Sequence, residues 1–290
     1  MSKIRECFNS RHRDGMLMEA DYSQLEIIAL AHLSGDPQMH ADIIAGVDLH
    51  TVRAAQMFNT PRAAVSHKQR QIAKVFSFQL QYGSGAKNMA DTMGVDVAIA
   101  KAFIKHYYER YPAVKAWQEL VAAEYAVRRR PSQRVTAKGV TAGRSWHHSI
   151  TGRRYVMYED DNPYFGQNQW GNEIQSATNF SPTKMKNYPV QGFATGDIVP
   201  MMLGEVLNFI KGDKRWDMFK LINTVHDSIL FDIPALEGTN HAVFAASIRD
   251  VMQGAPRLLK ERFDIDFTLP LKVDIKMGVN WGEMKEYQCP

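Results

Sequence analysis

The apolar residues of this chain follow two patterns, short runs of strand length and longer stretches with helical spacing. MLMEA at 16–20 reads as a buried strand, followed by helices over about 24–33 and around 40–45. Residues 65–82 form a basic helix, bounded upstream by Pro61 and downstream by the breakers of GSG. Further helices fit 95–109 and 113–127, with Pro112 between them. Residues 149–157 suit a strand or hairpin, and the polar, Asn-rich stretch 159–186 reads as a long loop. A helix covers about 192–211, apolar strands flank His226 and Asp227, a helix runs near 241–253, and VDIKMG at 273–278 returns as a strand. Strands near both ends of the chain with helices between them make an α+β protein, and there is no internal repeat.

Two aspartates stand at the ends of these strands. Asp21 closes the first, and Asp227 interrupts the pair more than two hundred residues later. A hard ion such as Mg²⁺ takes carboxylate oxygen and needs only one or two protein carboxylates besides substrate phosphate. Strand ends brought together could hold two ions about 4 Å apart, the arrangement that serves nucleotidyl transfer. Each local pattern also has a purely structural reading. Ser23-x-x-Glu26 is a capping box, and Asp227-Ser228 are ordinary turn residues. Arg70, Lys74 and Phe78, spaced by four, form one stripe that would equally suit an amphipathic surface helix.

Composition narrows the classes without choosing among them. A chain of 290 residues with 45% apolar content can build one large or two modest domains. The net charge of +4 permits nucleic-acid binding. Cys7 and Cys289 lie near opposite ends with no metal-ligand spacing, which suits a reducing cytoplasm. No run approaches a membrane span and the N-terminal stretch is polar, so a soluble cytoplasmic protein is expected.

Taken in order, the motifs resemble those of one family. DYSQLEIIALAHLSGD at 21–36 resembles motif A of family A DNA polymerases, the bacterial polymerase I type, and RQIAKVFSFQLQYGSG at 70–85 resembles motif B. VHDS at 225–228 resembles motif C, which usually ends in glutamate. VDLH at 47–50, ERYPAVKAW at 109–117, SITGRRYVM at 149–157, NYPVQG at 187–192 and LPLKVDIKMGVNWGE at 269–283 are weaker echoes. The resemblance implies a right-hand fold, with an antiparallel palm sheet carried by 1–35 and 149–290 and mostly helical fingers over 36–148. It implies that Asp21, Asp227 and the carbonyl of Tyr22 hold two Mg²⁺ ions. Arg70, Lys74 and His50 would bind the dNTP triphosphate, with Lys74 also a proton donor to pyrophosphate. Glu26 would fill the space of a ribose 2′-hydroxyl, Phe78 would pack beside the sugar and Tyr82 would guard the template position. Gln191, His226 and Lys184 would contact primer-template DNA.

Gln71, Ser77, Gln79 and Ser228 depart from the family pattern, and Thr183 stands where many relatives carry arginine. The run RRR at 128–130 reads as a solvated helix end. The family's thumb and exonuclease are not recognisable in this sequence, so a split bacteriophage enzyme is expected, working in the host cytoplasm with a second polypeptide that supplies thumb and 3′–5′ exonuclease. Two other classes stay open: a non-catalytic DNA-binding or assembly subunit descended from a polymerase, and a single-subunit RNA polymerase. Retention of Asp21, Asp227, Arg70 and Lys74 argues against the first, and Glu26 against the second.

Overall fold

The computed structural model describes residues 3–81, 83–162, 166–167, 173–174, 176–235 and 240–288. Tyr82 and Cys289 lie outside them. Strand β1 (Met16–Tyr22) is followed by helices α1 (Leu25–Ser34), α2 (Pro37–Ile44), α3 (Leu49–Met57), α4 (His67–Gln81), α5 (Ala86–Met93), α6 (Val97–Arg110) and α7 (Pro112–Val127). Then come strands β2 (Arg130–Val135), β3 (Thr141–His148) and β4 (Arg154–Tyr158), and the two-residue strands β5 (Asp160–Asp161), β6 (Gly166–Gln167), β7 (Glu173–Ile174) and β8 (Thr178–Asn179). Helix α8 (Pro182–Gln191), a π-helical segment (Gly192–Ile198) and α9 (Val199–Gly212) lead to β9 (Lys220–Val225) and β10 (Ser228–Ile233). The chain finishes with α10 (Asn240–Gln253), α11 (Ala255–Phe263), β11 (Val273–Gly278) and β12 (Lys285–Glu286).

These elements form two compact units, one made of Met1–Ala29 with Phe193–Pro290, the other of Leu30–Gly192. In the first, a five-stranded antiparallel sheet runs in the order β12-β11-β1-β10-β9. β1 is central because its apolar residues face both ways: Leu17, Met18, Ala20 and Tyr22 are all buried. Every residue of β10 is buried too. Phe231 meets Phe244 of α10, and Phe244 packs on Phe219 with ring centroids 4.3 Å apart and on Trp216 at 5.1 Å. That aromatic cluster anchors the sheet to α10, the burial of each ring contributing on the order of 2 kcal/mol.

The second unit is mostly helical, and its helix starts follow local chemistry. Asp36 accepts from the Met39 amide ahead of Pro37, Asp48 from the His50 and Thr51 amides, and Asp96 from the Ala98 amide. Such caps stabilise a helix by about 1 kcal/mol each. The three-stranded sheet β2-β3-β4 joins the helices through a core of Val121, Tyr125, Met157 and Phe180.

Several sequence expectations change here. The stretch 159–186 is no single loop, since β5 pairs with β8, β6 pairs with β7, and α8 begins at Pro182. Its asparagines all precede α8, which starts where the Ser181 side chain accepts from the Lys184 amide. Residues 149–192 pack within the helical unit. The helical stretch Pro182–Gly212 is long and apolar enough to cross a membrane by length and composition, contrary to the sequence reading. Met202, Val206 and Ile210 of α9 are nonetheless buried within the protein, so packing in a core accounts for that apolar character.

Candidate active site

β1 and β10 run antiparallel in a register that sets Asp21 directly opposite Ser228. Asp227 therefore sits one residue beyond the paired end of β10, in the two-residue turn that joins it to β9. The amide of Tyr22 bonds the Asp227 carbonyl at 3.4 Å, tying this turn to the end of β1. His226, the first turn residue, holds φ at 57°, a left-handed conformation that costs a non-glycine residue about 1 kcal/mol. The turn and the presentation of Asp227 are thus one feature.

The electrostatics of this corner are those of like charges held close together. Burial pushes the Asp21 carboxyl up to about 6, helped by the charges of Asp227, Glu19 and Asp274 and opposed by Lys276. Asp227 is raised as well, first by burial, with Glu26 and Glu19 adding to it and His226 opposing. Tyr22 is fully packed, and its hydroxyl donates to the Met252 carbonyl at 2.6 Å, which fixes the strand end against α10. Ser23 donates its hydroxyl to Asp274, the residue across β11 from Asp21. Among the described residues no three His, Cys, Asp or Glu side chains form a ready-made ion cage. The donor set still fits a hard divalent ion, because Mg²⁺ can be held by two carboxylates with water and phosphate filling its other positions.

In the helical unit, α4 buries Ile72, Ala73, Phe76 and Leu80 and turns its other face outward. That face carries Arg70, Lys74 and Phe78, with the Lys74 ammonium 6.0 Å from the Phe78 ring centre. The Arg70 Nε donates to Asp48 Oδ2 at 2.7 Å. Burial acts to raise the Asp48 carboxyl, but hydrogen bonds from Arg70 and Thr51 outweigh it and hold the group well below the usual range. His50, the second residue of α3, lies beside Phe78 with ring centroids 6.2 Å apart. Burial, then the nearby charge of Arg53, lower its pKa to about 4, and its Nδ1 has no partner among the described residues. His50 is therefore a neutral ring at neutral pH. At the end of α4, Gly83 has φ at 76°, and a Cβ there would lie 2.8 Å from the Thr183 Cα, so this glycine is required by both conformation and close approach.

The candidates for DNA contact divide. His226 is exposed in the sheet unit, whereas Lys184 and Gln191 lie on α8, seven residues apart. Lys184 is already engaged, its ammonium 2.8 Å from Asp160. Asp21, Tyr22, Glu26, His226 and Asp227 thus belong to one unit, and His50, Arg70, Lys74, Phe78, Lys184 and Gln191 to the other.

Sequence reasoning missed four contributors. Glu19 shares the face of Asp21 by strand alternation, a signal available in the sequence. Asp48 caps α3 and receives Arg70, but a capping aspartate looks alike wherever it occurs. Arg53 is buried with its guanidinium over the rings of Tyr107 and Tyr111, at 5.0 and 5.7 Å. The arginine run 128–130 follows the end of α7 with Arg129 and Arg130 exposed, as expected, but Arg129 also makes a two-pronged pair with buried Glu159 at 2.7 and 2.9 Å. Nothing local distinguishes that residue from its neighbours.

Comparison with known proteins covers nearly the whole chain. Residues 1–283 match the family model described as DNA polymerase family A. A thermostable DNA polymerase I of Thermus filiformis is 29% identical over 286 residues, 98% of this chain and 29% of that protein. DNA polymerase I of Lactococcus lactis subsp. lactis is 28% identical over 285 residues, again 98% of this chain and 28% of the relative. The chain thus spans less than a third of the length of these relatives. The solved POL domain of Pol1 from M. smegmatis, in complex with DNA primer-template and dNTP, superposes with a TM-score of 0.68 at 25% identity, covering 96% of this chain and 42% of that one.

Proposed function

The chain belongs to DNA polymerase family A, and on that premise we propose that it carries out template-directed DNA synthesis, joining dNTPs to a primer 3′-hydroxyl. The observation that carries this reading is the convergence of Asp21 and Asp227 at adjoining strand ends, both carboxyls raised first by burial and then by neighbouring carboxylates. Such a pair is relieved by a cation and serves no obvious purpose in the fold. Asp21, Asp227 and the Tyr22 carbonyl would hold two Mg²⁺ ions. When bound, these supply a lowered pKa for the attacking hydroxyl and charge neutralisation for the departing pyrophosphate.

The remaining groups position and neutralise. Arg70 and Lys74 lie on the open face of α4, where two cations spaced one turn apart suit a triphosphate. Lys74 Nζ gives a proton to the leaving pyrophosphate oxygen as the α-phosphate bond to it breaks. His50, neutral, meets phosphate as a hydrogen-bond donor and not as a charge. Phe78 presents ring surface to the sugar, and Tyr82, outside the described residues, would guard the template position as the resemblance implies. Glu26 excludes a 2′-hydroxyl and so selects deoxyribonucleotides. Gln191 reads acceptors common to all base pairs in the minor groove, and His226 and Lys184 contact the primer-template. On this reading the sheet unit is the core of the palm and α4 belongs to the fingers.

Primer extension tests the proposal. Asp21→Ala and Asp227→Ala should each abolish synthesis while leaving the circular dichroism of the protein unchanged; turnover near the native level in either variant would defeat it. The proposal includes the second polypeptide with thumb and exonuclease that the resemblance implies. Synthesis to full template length by this chain alone would remove that partner and leave the polymerase assignment standing.

A further inference from the structure

One buried charge beside the aspartate pair has no part in the reading above. Glu19 is only 9% exposed, two residues before Asp21 and on the same face of β1. Its carboxylate is held from three sides. The Trp281 Nε1 donates to Oε1 at 3.2 Å, the Ser228 hydroxyl lies 3.3 Å from the same oxygen while also reaching the Val225 carbonyl at 3.1 Å, and the Lys276 ammonium is 3.9 Å from Oε2. An ionised group in such a place is expensive to desolvate, and one nearby ammonium at that distance returns only part of it. A glutamine would satisfy the tryptophan and the serine equally well. What it could not supply is negative charge.

Ser228 gives the charge a meaning. It directly follows Asp227, lies opposite Asp21 across the strand pair, and stands where the motif it belongs to usually ends in a carboxylate. Its hydroxyl points to Glu19. The acid absent from β10 is therefore present on β1, one pleat away and hydrogen-bonded to the very residue that lacks it.

Resting on the metal-site reading of Asp21 and Asp227, we infer that Glu19 is a positioning residue of that site, supplying from β1 the third negative charge that Ser228 does not carry. It acts through the field it adds to the aspartate pair and through its hold on the hairpin, without touching the reacting atoms. A unit charge placed one pleat from a divalent ion, partly screened by water, alters binding by roughly a factor of five to ten.

The test is direct Mn²⁺ binding to the whole chain, read from the electron paramagnetic resonance of free Mn²⁺ at low salt, alongside thermal melting. Glu19→Gln should weaken Mn²⁺ binding about fivefold, and Glu19→Asp, which keeps the charge on a shorter arm, should stay within about twofold. The exchange Glu19→Ser with Ser228→Glu should restore what Glu19→Ser alone loses. A residue that only packs would order the variants the other way, with Gln mild and Asp severe in melting temperature and Mn²⁺ affinity unchanged throughout. Unchanged affinity in folded Glu19→Gln would overturn the inference. If that variant fails to fold, an exchange variant that folds but binds Mn²⁺ no better than Glu19→Ser overturns it equally. Asp21→Ala separates the two levels: if it too leaves Mn²⁺ binding unchanged, the metal site itself is wrong, whereas if it abolishes binding and Glu19→Gln does not weaken it, only the role of Glu19 falls.

Discussion

The two sets of charged residues are built on opposite principles. The carboxylates of the sheet unit are partly buried, backed by rigid antiparallel pairing, and raised in pKa by burial and by one another. The cations of α4 stand on an open helical face, and one of them rests on an acid, Arg70 on Asp48. A strand end fixes its atoms through neighbours on both sides, so like charges can be forced together there. A helix surface leaves its side chains mobile, so its cations find local partners while they wait. The first arrangement stores unfavourable charge that a ligand relieves; the second neutralises its charge in advance, and a ligand must displace the partner.

Removing charge from each side should therefore have different signatures. Short of the complete loss expected at Asp21 and Asp227, the largest effect is on the helix: if Lys74 protonates the leaving group, Lys74→Ala should lower kcat by about 10²-fold, more than it raises KM, measured in single-turnover extension. A rise in KM with kcat unchanged would reduce Lys74 to a binding group. Glu26→Ala comes next, with rNTP incorporation relative to dNTP expected to rise by about tenfold, equivalent to 1.4 kcal/mol of discrimination. A constant ratio in competition assays would remove Glu26 from sugar selection.

The carboxylate side is sharpened by melting without metal. Asp21 titrates near 6 in the fold against 3.8 ordinarily, so its protonated form favours the native state. Its relative stabilisation is complete below about pH 4 and is lost as pH rises through 6. Asp21→Asn should consequently leave stability unchanged at pH 4 and increase it by about 1–2 kcal/mol at pH 8 after allowing for solvent screening, seen as a Tm rise of about 2–4 °C. A variant destabilised at pH 8 would show that the aspartate serves the fold. The smallest effect is expected at Asp48. Asp48→Asn keeps a helix-capping side chain but frees Arg70, and the KM for dNTP should fall about twofold; a rise would mean that Asp48 aims Arg70 at its ligand.

How far the sequence anticipated this molecule depended on whether the deciding interaction was local. β1, β10 and β11 followed from their apolar runs, and α4, α6 and α7 from periodicity and the prolines around them. Helix α8 did not, because Asn187 and an internal Pro189 speak against a helix, and what fixes it is the Ser181 cap and the burial of Asn187, Pro189 and Val190. The capping-box reading of Ser23 also met a long-range competitor, since its hydroxyl goes to Asp274 some 250 residues away. Arg70 and Lys74 were placed on one stripe correctly, yet the contact between Arg70 and Asp48 required a fold to bring α3 beside α4. Glu19 was readable by alternation from Asp21; its partners Trp281 and Lys276, on a strand and turn at the far end of the chain, were not.

Position 226 sets two kinds of selection against each other. Its left-handed backbone suits glycine or asparagine better than histidine, and β-branched residues least of all. A library at this position screened only for heat resistance should accumulate glycine and asparagine, gaining on the order of 1 kcal/mol. The same library screened for strand synthesis should return histidine if the ring meets the primer. The divergence of the two populations would measure how much stability this hairpin gives up to hold an imidazole next to Asp227.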